Sequence, residues 1–373
     1  MSRVARLAIA SVCAALIPAV ACSRPAGVPR LAYVYAADGG GQRVAKVAQI
    51  LIDGWRQPRV AEIIVASTAS DQLSEASRNV EFANSALQGG PLAGAAGHLG
   101  SRTTLLVAPM YVEAHVPLVV PTATSRRIGQ LGAFVFPLAP NEDAEGEFLV
   151  NFATARLGLK RLTVVYLSAD EYGTGLRDGV VAALRRRNLA PVEQVGVLDD
   201  SDHDRMLTAS IGRAMPDGLI LAVGPASASK VLESLDEHQL KLPVIAGDSV
   251  ELVADYLHAI RNWSANLYVA AFWHPEVPRP ESKAFLELYR REAGVPPPSG
   301  TNAMFFDSLM MLATAVRDVG PRGDDVSAYL LSLGVSRPPY QGITGPLSFQ
   351  PRRPVNLVMT RVRDGASVLA EGR

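Results

Sequence analysis

The chain has 373 residues, 36 basic and 36 acidic side chains, 48% hydrophobic residues and two cysteines. Balanced charge, without a basic stripe interleaved with aromatics, argues against nucleic acid as a partner. The length exceeds what one hydrophobic core supports, so two lobes are expected.

The N-terminus reads as an export signal. Arg3 and Arg6 precede an apolar stretch over residues 7–20, which is short for a membrane span and interrupted by Pro18. Residues 1–21 are therefore set aside from the fold. Ala19-Val20-Ala21 leads into Cys22, a small-residue triplet that resembles the lipobox of bacterial lipoproteins, although Ala19 stands where Leu is usual. Cleavage there is expected to make Cys22 the lipidated first residue, with residues 22–30 as a tether to the membrane. Cys13 leaves with the signal, so the mature chain has no cysteine pair for a disulfide or a cysteine metal site. Loss of Arg3 and Arg6 leaves the mature chain near −2.

From residue 31 onward, short apolar runs alternate with longer amphipathic stretches. Strands are predicted at 31–36, 62–67, 117–120, 133–136, 161–167, 192–197, 218–223, 243–247 and 266–272. Helices are predicted at 45–55, 73–87, 142–157, 175–187, 202–215, 226–239 and 281–292, with two more at 301–319 and 325–333. Continuous apolar strands separated by helices indicate parallel sheets covered on both faces, an α/β class. Asn141 has the chemistry of a helix cap, and Glu142, Asp143 and Glu145 behind it suit the positive end of the dipole. Sheet-like runs return at 347–349 and 356–363.

One stretch, residues 94–125, carries two hydroxyl clusters around one predicted unit: GAAGHLGSRTTLLVAPMYVEAHVPLVVPTATS. Ser101, Thr103 and Thr104 stand where a helix would begin, and free N–H groups there can receive a small anion. Residues 122–125 follow the short strand of 117–120. In a parallel sheet both clusters fall at the carboxyl edge, where open α/β sheets bind ligands. Read separately, Ser101 is an ordinary cap and residues 122–125 an ordinary turn.

Other motifs were weighed for catalysis. Gly173-x-Gly175-x-x-x-Gly179 places its third glycine one position late for a dinucleotide fingerprint. Tyr172 beside these glycines is an aromatic presented toward a cleft, or an exposed loop tyrosine. The six histidines lie far apart. The acidic run at 199–204 lacks the glycine and distal Glu of a calcium loop. No nucleophile–base pair is visible, and no catalytic residue, metal or cofactor is expected. Asp248 closes the strand at 243–247 at the carboxyl edge of the second lobe's sheet, where it would face an ammonium across an inter-lobe cleft or cap the next helix.

Together the segments GHLGSRTT, VPTATS, FVFPLAPNEDAEG, VVYLSADEYGTGL and VIAGD resemble the type I periplasmic ligand-binding proteins of the leucine/isoleucine/valine-binding family. The resemblance covers about residues 94–365, including GITGPLSF. Residues 31–90 match poorly. It implies two Rossmann-like lobes joined by a three-crossover hinge: 31–140 plus 271–346, and 141–270 plus 347–373. It further implies that Ser101 and Thr124 hold a ligand carboxylate, that backbone at Thr122 meets the ammonium, that Tyr172 packs on the ligand, and that Asp248, or its neighbour Ser249, neutralises the ammonium. The aromatics that such amino-acid binders carry in the first loop and near residue 225 are not visible here. The implied role is an extracytoplasmic solute-binding lipoprotein, periplasmic or on the cell surface. Its partners would be an amino acid of the branched-chain type or a similar small polar ligand, and an ABC permease in the membrane. A ligand-sensing lipoprotein and an exported enzyme are the alternatives.

Overall fold

The computed structural model describes residues 27–36, 40–55, 60–68, 72–198, 203–252, 266–294, 299–349, 356–363 and 366–370. The signal segment, Cys22 and most of the 199–204 acidic run lie outside the described residues.

The elements run in chain order. The first part is β1 (Arg30–Ala36), α1 (Gly40–Asp53), β2 (Glu62–Thr68), α2 (Gln72–Gln88), β3 (Leu92–Ala96), α3 (Ser101–Glu113), β4 (Leu118–Val120) and β5 (Val135–Pro137). Next come α4 (Glu142–Asn151), β6 (Leu162–Leu167), α5 (Glu171–Arg186), β7 (Glu193–Val197), α6 (His203–Ala214), β8 (Gly218–Ala222), α7 (Pro225–Glu237), β9 (Val244–Ala246) and β10 (Leu267–Ala271). The last part is α8 (Pro280–Ala293), α9 (Gly300–Val319), α10 (Gly323–Ser332), β11 (Tyr340–Gly342), β12 (Gly345–Leu347), β13 (Val358–Arg363) and β14 (Ala366–Leu369).

A five-stranded sheet in the order β2-β1-β3-β4-β5 is parallel throughout. A seven-stranded sheet, β14-β13-β10-β9-β8-β6-β7, is parallel from β10 to β7, with β13 and β14 added antiparallel at one edge. Such sheets need a helical layer on each face, because both faces carry apolar side chains. One face of the first sheet packs on α1, α8, α9 and α10, and the other on α2 and α3. The second sheet is covered by α6 and α7 on one side and by α4 and α5 on the other. Helix α9 is buried on nearly every side, as its apolar composition requires. The chain passes between the lobes after β5, after β10, and between β12 and β13. Its architecture is the expected one: two α/β lobes joined by three crossings.

Several elements differ from the sequence reading, among them β11 and β14, which lie outside the predicted runs. Strand β3 was not expected, because its LAGAA composition lacks the branched residues that mark a strand. The small residues are required by packing: a Cβ on Gly94 would lie 2.7 Å from Leu312 Cδ2 on α9. The run at 347–349 joins neither main sheet; β12 ends at Leu347 and pairs only with β11. The helix predicted to Leu157 leaves α-geometry after Asn151 and continues as a π turn over Phe152–Arg156.

Candidate functional site

Adjacent strands β3 and β4 end side by side, with Ala96 registered to Val119, so the loops that follow them meet at one edge. Side chains stitch these loops together. The Thr122 hydroxyl donates to Leu99 O at 2.9 Å, and the Ser125 N–H donates to Ser101 Oγ at 3.2 Å. Behind them, His98 is fully buried, pushed down to about 3 by desolvation and so neutral, with its ring between Asn79 and Tyr111. The N-cap of α3 is Gly100 rather than Ser101, and no side chain caps the helix. Its first-turn N–H groups therefore remain available at the positive end of the dipole. Ser101 Oγ accepts from Ser125 but keeps its own proton to donate. Thr124 Oγ1, on a residue only 2% exposed, has no hydrogen-bond partner.

The opposing wall comes from the second lobe. Asp170 caps α5 through Gly173 N at 3.0 Å, which sets Tyr172 at the start of the helix. Asp248 follows the carboxyl end of β9 and begins a 3₁₀ turn, Asp248–Leu252. Beneath it lies Glu145 of α4, whose Oε1 accepts from Asp248 N at 2.8 Å and from the Tyr172 hydroxyl at 3.4 Å. Burial raises Glu145 well above the usual carboxylate range, and the charge of Asp248 raises it further. Burial also raises Asp248, against the opposing hydrogen bonds from Glu145 and Tyr172. The Tyr172 phenol is pushed up by burial and then by both acids. Glu142, one turn before Glu145, is raised by burial to about 7 although Arg126 N donates to it at 3.0 Å.

Between the walls is a cavity of about 590 Å³, and Ser101, Thr122, Thr124, Tyr172 and Asp248 all line it. Ser249, the neighbouring candidate, lines it too, but its hydroxyl is committed to Val223 O at 2.8 Å. The remaining lining mixes the aliphatic Leu99, Leu105, Leu106 and Leu167 with the charged Arg102, Arg127, Asp170 and Glu171, and Gly224 stands where the family carries an aromatic. The lobes also touch directly. Ser125 Oγ donates to Glu171 Oε1 at 3.0 Å, Arg127 pairs with Glu171 at 3.2 Å, and Gly300 N at the start of α9 donates to Glu251 Oε1 at 2.7 Å.

Sequence reasoning missed Glu145, Glu171 and Glu251. Glu142, Glu145, Gly146 and Leu149 share one helix face, which the packing of α5 on α4 buries. As for the glycines, a Cβ on Gly173 would lie 2.5 Å from Leu167 O, and one on Gly175 2.7 Å from Glu142 Cδ. Gly146 and Gly179 bring α4 and α5 together backbone to backbone. These glycines pack helices and strands and form no phosphate cradle. Among the described residues no group of His, Cys, Asp and Glu has the arrangement of a metal site, and no helix is long and apolar enough to cross a membrane.

The family model described as periplasmic binding protein matches residues 62–363. A curated relative, an amino acid binding protein of Pseudomonas aeruginosa, is 22% identical over 254 residues, covering 67% of each chain. A leucine binding protein from Thermotoga maritima superposes with a TM-score of 0.79 at 18% identity, covering 92% of this chain and 98% of that one. A solute binding protein of R. palustris in complex with benzoate gives 0.75 at 15% identity, with coverage of 92% and 96%. By the extent of the family match and the two-lobed α/β architecture, the chain belongs to the periplasmic binding proteins, in their type I form.

Proposed function

We propose that this protein is an extracytoplasmic solute-binding lipoprotein that takes up an amino acid, branched-chain in type or similarly small and polar, between its lobes and presents it to an ABC permease. The observation that carries the reading is the polarity of the cleft. Uncommitted donors (the Ser101 and Thr124 hydroxyls and the α3 N-terminus) stand on one wall, and the Asp248 carboxyl stands on the other. A zwitterion matches both walls, its carboxylate toward the donors and its ammonium toward Asp248. A benzoate-like acid would leave the acidic wall without a partner. The ligand bridges both lobes only when they are closed, so binding shifts the population toward the closed form, the form a permease would recognise. The four leucines of the lining, Leu99, Leu105, Leu106 and Leu167, suit a branched side chain. Cys22 would carry the lipid that keeps the protein at the membrane surface. The protein would bind and release its ligand unchanged.

Calorimetry with the proteinogenic amino acids tests this. Ser101→Ala and Thr124→Ala are each expected to weaken binding by roughly 1.5–3 kcal/mol, the value of a hydrogen bond to a charged group. Unchanged affinity in both variants would remove the carboxylate grip. Equal affinity for leucine and 4-methylpentanoate, which lacks the ammonium, would remove the role of Asp248.

A further inference from the structure

The acidic wall holds more carboxyls than one ammonium requires. Glu145 is 1% exposed and Asp248 6% exposed, and Glu145 Oε1 accepts from Asp248 N at 2.8 Å, so the two acids lie side by side. Two carboxylates offer acceptors alone, so neither can satisfy the other until one of them holds a proton. Glu145 Oε2 and Asp248 Oδ1 are both buried and have no hydrogen-bond partner. Among the described residues no cation acts on the pair to replace that proton. From α5 the Tyr172 hydroxyl donates to Glu145. Glu142 on α4 adds negative potential at Glu145, and Asp248 adds it at Glu251 on the 3₁₀ turn. Arg126 acts on Glu142, and Arg127 is paired with Glu171 at the rim. On the facing wall, the unpartnered Thr124 hydroxyl opens on the same cavity as Asp248 and marks it as a place for a ligand.

We propose that Glu145 and Asp248 hold one shared proton in the empty cleft and release it to solvent when a ligand's ammonium seats against Asp248. The inference rests on the reading above that the ligand carries an ammonium. The exchange balances: one carboxyl O–H bond breaks heterolytically, the proton passes to a buffer base, and ammonium N–H donors take over the bared oxygens. The acid pair carries one negative charge before the exchange. Pair and ammonium together carry one negative charge after it, so the buried site never holds two uncompensated charges. Glu145 is thus a positioning residue that makes uptake proton-linked and disfavours ligands unable to replace the proton.

The test is calorimetry of L-leucine, with the other proteinogenic amino acids in parallel, in buffers of different ionisation enthalpy, alongside infrared spectra of the carboxylic-acid carbonyl band. The intact protein should release close to one proton per ligand near neutrality. Its affinity should fall by up to about tenfold per pH unit toward acid. One component of the carboxylic-acid absorption, distinct from those of the buried Glu142 and Glu251, should vanish on ligand addition. Glu145→Gln keeps an acceptor for Asp248 N and an amide donor for its carboxyl. It should bind without proton release, with a flat pH profile, and lack that band. Binding without proton release in the intact protein, or equal release from E145Q, overturns the exchange. Binding of 4-methylpentanoate as tight as leucine overturns the ammonium reading and the exchange together. If no amino acid binds, the ligand reading falls and the exchange falls with it. The Glu145-dependent band of the free protein then decides separately whether the pair shares a proton.

Discussion

The two walls of the cleft are built on opposite plans. The first-lobe wall comes from two loops of one continuous stretch and offers buried neutral donors, hydroxyls and helix-end N–H groups, with the exposed Arg102 and Arg127 beside them. The second-lobe wall gathers Glu145, Tyr172 and Asp248 from α4, α5 and the end of β9, and offers carboxyls. A wall of neutral donors is ready at any ordinary pH. A wall of buried carboxyls changes state with pH and with its occupant, because each charge must be compensated before it is stable in a low-dielectric setting. Under the proposed function, recognition on one side is geometric and on the other electrostatic.

The largest expected effect lies on the acidic wall. Asp248→Asn should cost about 2–5 kcal/mol of amino-acid affinity, the range for losing one partner of a buried charge pair. The loss, read by calorimetry, should exceed that of either hydroxyl deletion. A loss no greater than that of Thr124→Ala would erase the distinction between the walls. The next effect is on stability. Burial raises Glu142 to about 7 and Glu251 to about 8. Both lie above the unfolded value, so the folded state binds more protons between about pH 4.5 and 8. The ligand-free protein should therefore be more stable near pH 5 than near pH 8, losing stability as pH rises through 7 and 8. Calorimetric melting should show that slope, and Glu142→Gln with Glu251→Gln should flatten it. A midpoint rising across this window would contradict the burial of these acids. The smallest effect belongs to the rim. Arg127 and Glu171 are both partly exposed, so Glu171→Gln should lower affinity by less than about 1 kcal/mol, and less still in high salt.

The difference between the walls also governed what could be read from residues alone. Ser101, Thr122 and Thr124 sit in two loops of neighbouring strands, and the apolar run of β4 with the hydroxyls after it was enough to place them. Asp248 was legible for the same reason, being the first residue with a charge beyond a buried strand. Glu145 was not, because at the start of a helix an acid normally satisfies the dipole in water. Its 1% exposure depends on α5 lying against α4, which local sequence does not display. Tyr172 was placed in the cleft, but its bond to Glu145 depends on the same helix pair. The alternation of apolar strands and amphipathic helices made both lobes readable, whereas β3 escaped because glycine and alanine there serve the approach of α9.

The contact of Gly146 and Gly179 between α4 and α5 has a mechanical consequence. Backbone against backbone leaves no side-chain slack between α4 and α5. Glu145 and Tyr172 therefore ride on one stiff member, and Glu145 is tied through its carboxyl to the chain at Asp248. A rotation of one lobe against the other would carry this whole acidic assembly as a preset jaw, with its internal distances unchanged. Selectivity would then be decided by whether an arriving molecule fits a finished surface, and little of its binding energy would be consumed in shaping one.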